Sequence, residues 1–243
     1  MRISRLFIPG HCTAHTDRLL DDDSAHYLRT VLRLKKGAEL TVFNDTDQEF
    51  AATVSEAHRE GVCLRIGPAR HRSVESPLTV RLAVGISRGE RMDWVIQKAV
   101  ELGVARISPL LMEHCVVRLD ETRRGNRTAH WQKIIQAACE QSGRNRLPQL
   151  DSPLTLTDFL HHHRPDNRLY LDPEADTGLS TLSPPQGSLV LLSGPEGGFA
   201  PHERQAARAA GYLPVRLGPR ILRTETAVVT ALAAVQCLWG DLG

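Results

Sequence analysis

The sequence predicts a small strand-rich N-terminal domain followed by a larger α/β domain with a mostly parallel sheet. Three observations lead to this prediction. Residues 1–70 contain short strand patterns separated by polar turns, which is typical of a small barrel. After residue 77, apolar strands alternate with stretches of helical periodicity, which favours a parallel sheet. Two late strands run directly into loops rich in glycine and proline, where open α/β sheets bind ligands.

The first domain shows four strand patterns and one short helix. Residues 2–8 alternate polar and apolar side chains, and residues 39–43 end at the turn-forming pair Asn44 and Asp45. Residues 49–54 and 62–66 flank a polar turn with Gly61, as a hairpin would. A helix is expected near residues 24–32.

The polar segment 71–77 is expected to be the linker, which gives domains of residues 1–72 and 73–243. The second domain then begins with a strand over residues 78–86. Helical stripes follow at Met92, Val95, Ile96, Ala99 and Leu102, and at Trp131, Ile134, Ile135 and Ala138. Further strands are expected at residues 106–112, 168–171, 189–192 and 213–217.

Two helices close the pattern. Residues 201–210 open with proline and are followed by Gly211, which is the usual punctuation of a helix. Residues 226–239 are apolar on most faces, so this helix must be buried, either in the core or against a second subunit.

Composition excludes several classes of protein. The chain has 243 residues and a net charge of only +2, so it is not a strongly basic nucleic-acid coat. Only four of its 30 basic residues are lysine. Arginine suits phosphate recognition, although a GC-rich genome would also favour it. The five cysteines are scattered, and no apolar run approaches the length of a membrane helix. We therefore expect a cytoplasmic protein without a membrane segment.

The two glycine-rich and proline-rich loops are the strongest functional signal. The glycine loop, residues 193–199, contains Gly194, Pro195, Glu196, Gly197 and Gly198. The arginine loop, residues 218–226, follows the strand pattern 213–217. Glycine lets the backbone approach a ligand closely. Neither loop is a dinucleotide fingerprint or a Walker A motif, so the pair predicts one pocket of another kind.

Charged residues in these loops suggest chemistry. Arg223 could stabilise developing negative charge, and Glu196 or Glu225 could accept a proton. The alternative for the two glutamates is an ion pair with arginine that braces the loops.

A locally basic tract spans residues 118–146 and could neutralise phosphates. The alternative is a solvated helix face, and Trp131 within it is expected in the core. The run His161, His162 and His163 lacks partners at ligand spacing, so no metal site is expected. Cys115 is expected to be a buried thiol rather than a nucleophile.

Several blocks of this chain together resemble the RsmE family of the SPOUT methyltransferases, which methylates N3 of a uridine in 16S ribosomal RNA. The resemblance runs nearly end to end and depends on a set of motifs at fixed spacing. These are residues 5–7, 26–33 with Gly37, 97–104, 140–141 with Arg144 and Pro148, 194–199, 217–218 and 221–227.

The resemblance implies a PUA-like RNA-binding barrel and then a SPOUT domain with a C-terminal trefoil knot. It also implies a homodimer, a 16S rRNA or 30S subunit substrate, and S-adenosylmethionine as the cofactor. The cofactor would lie against Leu171, Leu192, Ser193, Gly194, Pro195, Glu196, Gly197, Gly198, Leu217, Gly218, Ile221, Leu222, Arg223 and Thr226. RNA would be bound by Arg5, Arg33, Lys98, Arg118, Arg123, Arg124 and Arg144. Arg223 would be catalytic, with Glu196 or Glu225 as the base.

Two segments depart from the family pattern. Residues 112–115 replace a Ser-Glu-Arg-Ser-like segment, and Ala200 replaces a serine that could cap the following helix. Two rival functions also remain open. One is a non-catalytic RNA-binding or ribosome-assembly factor, and the other is a SPOUT methyltransferase that acts on another RNA.

Overall fold

The computed structural model describes residues 3–58, 61–117, 120–162 and 167–243. The chain divides into two compact units. Unit 1 comprises Met1–Glu75 together with Cys139–Leu147, and unit 2 comprises Ser76–Ala138 and Pro148–Gly243. The sequence pattern gave no sign that a segment from the middle of the chain packs with the N-terminal residues.

Unit 1 is built on a five-stranded sheet in the order β1-β3-β4-β5-β2. The β1–β3 pair is parallel and the other pairs are antiparallel. The predicted hairpin is present, with strands longer than the sequence pattern indicated. The strands are β1 (Ser4–Phe7), β2 (Asp17–Leu19), β3 (Glu39–Phe43), β4 (Gln48–His58) and β5 (Gly61–His71).

Alternating side chains of these strands form the core of unit 1. Leu6, Val54 and Leu64 are fully buried, while their neighbours along each strand are more exposed. This period of two is that of a sheet with one buried face. The turn between β3 and β4 places Asp45 at φ 63°, a conformation that aspartate tolerates better than most residues.

The predicted helix near residues 24–32 is two short helical segments. Helix α1 (Asp22–His26) begins at Asp21, whose carboxylate accepts a hydrogen bond from the Ser24 N–H at 2.8 Å. A π-helical turn, Tyr27–Val31, continues it. The Leu32 N–H donates to the Tyr27 carbonyl at 3.1 Å, which is the wider spacing of a π-helix.

Unit 2 contains a parallel seven-stranded sheet, which confirms the predicted mostly parallel architecture. Six strands follow the order β12-β10-β11-β6-β7-β8, and β9 also pairs with β7. The predicted knot stays a prediction. The strands are β6 (Val80–Gly85), β7 (Arg106–Leu111), β8 (Gln149–Leu150), β9 (Leu154–Thr155), β10 (Asn167–Leu171), β11 (Leu189–Ser193) and β12 (Leu213–Val215).

Within the described ranges, five α-helices accompany these strands. The helical stripes predicted from sequence face the core: Met92, Val95, Trp131 and Ile135 are all buried. Helix α4 was not anticipated, because its pattern is short. The helices are α2 (Glu90–Glu101), α3 (Glu121–Ser142), α4 (Leu156–His162), α5 (Pro201–Ala209) and α6 (Thr224–Trp239).

Helix α6 is buried on one side only. Val228, Leu232 and Val235 are buried, and the helix packs mainly against α2. The fully buried Gln236 fixes this contact, because its amide donates to the Leu102 carbonyl at 2.8 Å and accepts from Ser76 Oγ at 2.7 Å. Of the helices in the described ranges, none is long and apolar enough to cross a membrane.

Candidate active site

The carboxyl ends of three neighbouring parallel strands meet at one cavity. Strands β10, β11 and β12 pair in parallel, so the segments that follow them leave the same edge of the sheet. A cavity of about 270 Å³ lies between these segments. Its lining consists of Leu171, Asp172, Pro173, Ser193, Gly194, Pro195, Glu196, Gly197, Gly198, Phe199, Arg204, Val215, Leu217, Gly218, Arg220, Ile221, Leu222, Thr224 and Ala227.

The glycine loop is packed so closely that a side chain would clash at the neighbouring Gly85 and would be tightly squeezed at Gly194 within the loop. A Cβ on Gly85, at the end of β6, would lie 2.5 Å from both the Pro195 nitrogen and its Cδ. A Cβ on Gly194 would lie 3.1 Å from the Phe199 ring. Within the loop, the Gly198 N–H donates to the Pro195 carbonyl at 2.9 Å, and Gly198 has φ +69°. The loop is therefore a fixed turn that presents its backbone to the cavity.

Glu196 braces the glycine loop against the start of α2. Its Oε1 accepts a hydrogen bond from the Arg88 N–H at 2.9 Å and lies 3.4 Å from Arg91 Nη1. Burial raises the pKa of Glu196, but the hydrogen bonds of its carboxylate and the charge of Arg91 outweigh burial, so the pKa is below its ordinary value. A carboxylate with a lowered pKa is a weak base at neutral pH, which favours the bracing alternative over the base.

The segment 112–115 packs directly on the glycine loop. The Glu113 N–H donates to Glu203 Oε1 at 2.9 Å, and the Cys115 N–H donates to the Met112 carbonyl at 3.1 Å. His114 Nδ1 lies 3.0 Å from the Gly197 carbonyl oxygen. A Cβ on Gly197 would lie 2.6 Å from the His114 Cβ, so only glycine fits this contact.

A buried carboxylate and an arginine form another part of the wall. The Asp172 side chain is 1% exposed and accepts hydrogen bonds from the Glu174 N–H at 3.1 Å and the Tyr170 hydroxyl at 3.3 Å. Arg204 Nη1 lies 3.8 Å from Asp172 Oδ1 and 2.5 Å from Glu174 Oε2. Sequence reasoning missed both lining residues. The signal for Asp172 was its position directly after a buried strand, whereas Arg204 reaches the cavity only through tertiary packing.

The arginine loop is more exposed than the glycine loop. Gly218 has φ +79°, and Ile221 is 88% exposed although it lines the cavity. Helix α6 already begins at Thr224, so the last three residues of this loop form its first turn. Arg223 is an exposed N-cap whose carbonyl accepts from the Ala227 N–H at 2.8 Å.

The cavity brings together most residues predicted to bind cofactor, but not all of them. The Leu192 side chain is fully buried in the core of unit 2 and does not line the cavity, so its predicted cofactor contact stays a prediction. Every residue of β11 is buried, as expected for a strand of a parallel sheet that is covered on both faces. Arg223, Glu225 and Thr226 lie at the start of α6, beside the lining residues Leu222 and Thr224.

Two of the arginines predicted to bind RNA are paired with carboxylates within unit 1. Arg5 is 10% exposed, donates to Glu49 Oε2 at 2.7 Å and lies over the Phe43 ring. Arg144 is 4% exposed and paired with Glu75. Both guanidinium groups are engaged inside unit 1, because a buried charge must be paired. Their predicted role in binding RNA stays a prediction.

The other predicted RNA contacts have varied surroundings. Arg33 is exposed, and Lys98 pairs with Glu101 on the same helix at 2.8 Å. Arg123 is exposed and near Asp120, and Arg124 is half-buried. Arg118 lies outside the described residues. Near Arg33, a cavity of unit 1 is lined by Arg29, Arg33, Leu34, Lys35, Lys36 and Ala57, which forms a basic surface that sequence reasoning recognised only in part.

The described residues support neither a metal site nor a nucleophilic cysteine. His161 and His162 end α4, His163 lies outside the described ranges, and no cluster of three His, Cys, Asp or Glu residues suited to a metal occurs within them. Burial raises the pKa of the Cys115 thiol, and its Sγ lies 3.6 Å from the Leu110 carbonyl. A thiol with a raised pKa is a poor nucleophile at neutral pH.

Family models and solved structures match the chain over most of its length. Residues 74–236 match an RNA methyltransferase domain, and residues 20–67 match an RNA methyltransferase PUA domain. Ribosomal RNA small subunit methyltransferase E of Buchnera aphidicola subsp. Schizaphis graminum is 34% identical over 99% of this chain and 98% of its own length.

Two solved structures match equally broadly, each covering 100% of both chains. A putative methyltransferase from Legionella pneumophila in complex with S-adenosylmethionine is 38% identical, with a TM-score of 0.97. A ribosomal RNA small subunit methyltransferase E from Neisseria gonorrhoeae bound to the same cofactor is 36% identical, with a TM-score of 0.95. The chain therefore belongs to the ribosomal RNA small subunit methyltransferase E family, with a PUA-like unit followed by a SPOUT-type methyltransferase domain.

Proposed function

We propose that this chain transfers the methyl group of S-adenosylmethionine to N3 of a uridine in 16S rRNA. The cavity between the glycine loop and the start of α6 is the observation that carries the proposal. It lies at the carboxyl edge of a parallel sheet, where α/β domains bind ligands, and family membership makes the reaction an RNA methylation.

The residues around the cavity fit the proposed cofactor. S-adenosylmethionine carries a cationic sulfonium and, when bound, supplies an electrophilic methyl group. Two carboxylate residues, Asp172 and Glu196, line the cavity. Of the two lining arginines, Arg204 is already paired with Glu174, and Arg220 is exposed to solvent. The remaining wall is largely the backbone of the glycine loop and Leu217, Gly218 and Leu222. Such a lining favours a cation with hydrogen-bonding ends.

Arg223 is proposed to act on the uracil ring. Removal of the N3 proton leaves negative charge on the two carbonyl oxygens of the base. An exposed guanidinium at the cavity edge could donate hydrogen bonds to those oxygens and stabilise that charge. Glu225 lies in the first turn of α6, where a carboxylate is favoured by the helix dipole. This placement supports a role for Glu225 in fixing the helix start.

The basic surface of unit 1 is proposed to bind RNA backbone. Arg33, Lys35 and Lys36 are exposed and share one concave surface with Arg29. Closely spaced cations on one surface suit phosphate. In unit 2, Lys98, Arg123 and Arg124 would add contacts along the nucleic acid. The target base would have to leave its stack to reach the cavity.

We also propose a homodimer that acts on the 30S subunit in the cytoplasm, with a knotted C-terminal segment. The partly exposed apolar side of α6, which includes Leu238 at 46% exposure, offers a surface for a second copy.

The test is transfer of labelled methyl groups to 30S subunits, free 16S rRNA and tRNA, with mass spectrometry of the product nucleoside. We expect 3-methyluridine in 16S rRNA. Subunits that were first saturated with unlabelled methyl groups are the control and should accept no label. A product on tRNA or on a ribose would support the rival methyltransferase. Absence of cofactor binding in calorimetry would support the non-catalytic RNA-binding factor.

A further inference from the structure

His114 lies in a turn that several hydrogen bonds hold against the glycine loop. The turn is closed between Met112 and Cys115 and anchored to Glu203 through the Glu113 N–H. The His114 side chain is exposed, and its Cβ packs on Gly197, a residue that lines the cavity. Strands β7 and β11 belong to one parallel sheet, so the turn after β7 lies at the same sheet edge as the glycine loop.

The contact with Gly197 determines which nitrogen of His114 carries the proton. A carbonyl oxygen can only accept, so Nδ1, at 3.0 Å, must donate. In the neutral ring, Nε2 then holds a free lone pair. Among the described residues, no hydrogen-bond partner lies at Nε2. A histidine oriented through one nitrogen, with the other free, has the arrangement of a general base.

We propose that His114 is the base that removes the N3 proton of the target uridine. The inference rests on the proposed function and names the group that this function leaves open. Histidine is the side chain that most often serves as a general base in enzymes. Glu196 is less suited, because its carboxylate is engaged by the Arg88 N–H and by Arg91.

The step balances without any other reactant. The N3–H bond breaks, and its proton moves to His114 Nε2 while the electron pair stays on N3. N3 forms a bond to the methyl carbon, and the sulfur–methyl bond breaks with its electron pair left on sulfur. The neutral thioether and 3-methyluridine are the products, and the imidazolium returns its proton to solvent.

Charged groups around His114 come from three segments. Glu113 belongs to its own turn and lies 3.5 Å from His202 Nδ1. Glu196 belongs to the glycine loop, and Glu203 lies on α5. Glu203 accepts a hydrogen bond from the Glu113 N–H, and Glu196 is paired with Arg91.

His114→Asn is the most informative variant. The asparagine amide can still donate to the Gly197 carbonyl, but it has no basic nitrogen. His114→Gln is the second variant, should the first fold poorly. His202→Asn is the matched control, since His202 is an exposed imidazole at the same edge without a contact to the glycine loop. Melting temperature and calorimetric cofactor affinity are measured for each variant.

We expect His114→Asn to bind S-adenosylmethionine as the wild type does and to lose roughly 10²- to 10⁴-fold in kcat. The wild-type rate should decline on the acidic side, because protonation of Nε2 removes the base, and the variant should lack this decline. RNA that contains 5-fluorouridine, whose N3–H is more acidic, should restore part of the variant's rate. His202→Asn should match the wild type.

Wild-type turnover and an unchanged pH profile in His114→Asn would overturn the inference. A loss explained by weaker cofactor binding, or a loss that 5-fluorouridine does not relieve, would also overturn it and leave His114 as a support for the glycine loop. If the wild type itself forms no 3-methyluridine, the proposed function fails, which is a distinct outcome.

Discussion

The two loops that form the cavity are supported very differently. Pro195 packs on Gly85, Glu196 accepts from the Arg88 N–H, and Gly197 packs on His114. Thus, two separate segments, residues 85–88 and the turn that contains His114, fix the glycine loop. The arginine loop instead leaves Ile221 88% exposed and presents Arg223 from the N-cap of α6. One wall is therefore built before any ligand arrives, whereas the other carries side chains that remain accessible to RNA. A preorganised wall lowers the entropic cost of binding.

The largest expected effect on methyl transfer comes from replacing Arg223. Arg223→Ala should reduce methyl transfer to 30S subunits by about 10²- to 10³-fold, because a charged hydrogen-bond donor at the reacting base is lost. The same variant should keep most of its cofactor affinity in calorimetry, because the guanidinium does not line the cavity. Full turnover by Arg223→Ala would contradict the assignment.

Two glycine substitutions, one beside each loop wall, test how much each loop depends on close packing. Gly85→Ala places a Cβ 2.5 Å from the Pro195 nitrogen and should destabilise unit 2 by about 1–3 kcal/mol. Gly218→Ala meets no atom within 4 Å, but its φ of +79° should cost about 1 kcal/mol. Urea unfolding measures both, and calorimetry should show the greater loss of cofactor affinity for Gly85→Ala. Equal affinities would mean that the glycine loop is not rigid.

A smaller effect, on stability, is expected from the hydrogen bonds by which Glu196 fixes the glycine loop. Its pKa is lower in the folded protein than in the unfolded chain, so its contribution to stability is present above the ordinary Glu pKa of about 4.3 and is lost as pH falls through the folded pKa. Glu196→Gln should therefore be less stable than the wild type at pH 7, and the two should converge in acid. Thermal unfolding at several pH values tests this. A stability difference that does not change with pH would refute the bracing role of Glu196.

The smallest effect on stability is expected at Ile221. Because its side chain is almost fully exposed, Ile221→Ser should change the free energy of unfolding by no more than about 0.5 kcal/mol. Cofactor affinity should nevertheless fall, since the side chain lines the cavity. Equal affinity, measured by calorimetry beside the wild type, would show that this wall contributes nothing to binding.

Much of unit 2 was predictable because its signals are local. The apolar runs of β6 and β11 and the helical stripe that contains Met92 and Val95 depend only on the order of residues along the chain. Helix α5 was bounded to within one residue because Pro201 and Gly211 act through their own backbones. Strands β8 and β9, with two residues each, were missed because they are too short to show a period.

The functional site was predictable only in part, because only its local signals are visible in the sequence. Glycine and proline made the loop containing Gly194 and Pro195 visible, because these residue types limit the backbone wherever they occur. The motif set gave the family. The pairing of Arg5 with Glu49 and of Arg144 with Glu75 was not foreseen, because an arginine looks the same in sequence whether it meets phosphate or a buried carboxylate.

The sequence by itself determined the family, the order of the two folded units and the loops that form the cavity. These depend on motif spacing, periodicity and backbone-limiting residues. Only the tertiary structure decided that Glu196 braces the glycine loop, that Leu192 is core and that His114 presents a free Nε2 beside Gly197. Each of these facts depends on a partner distant in the chain, and a polar side chain has no fixed role until folding supplies that partner.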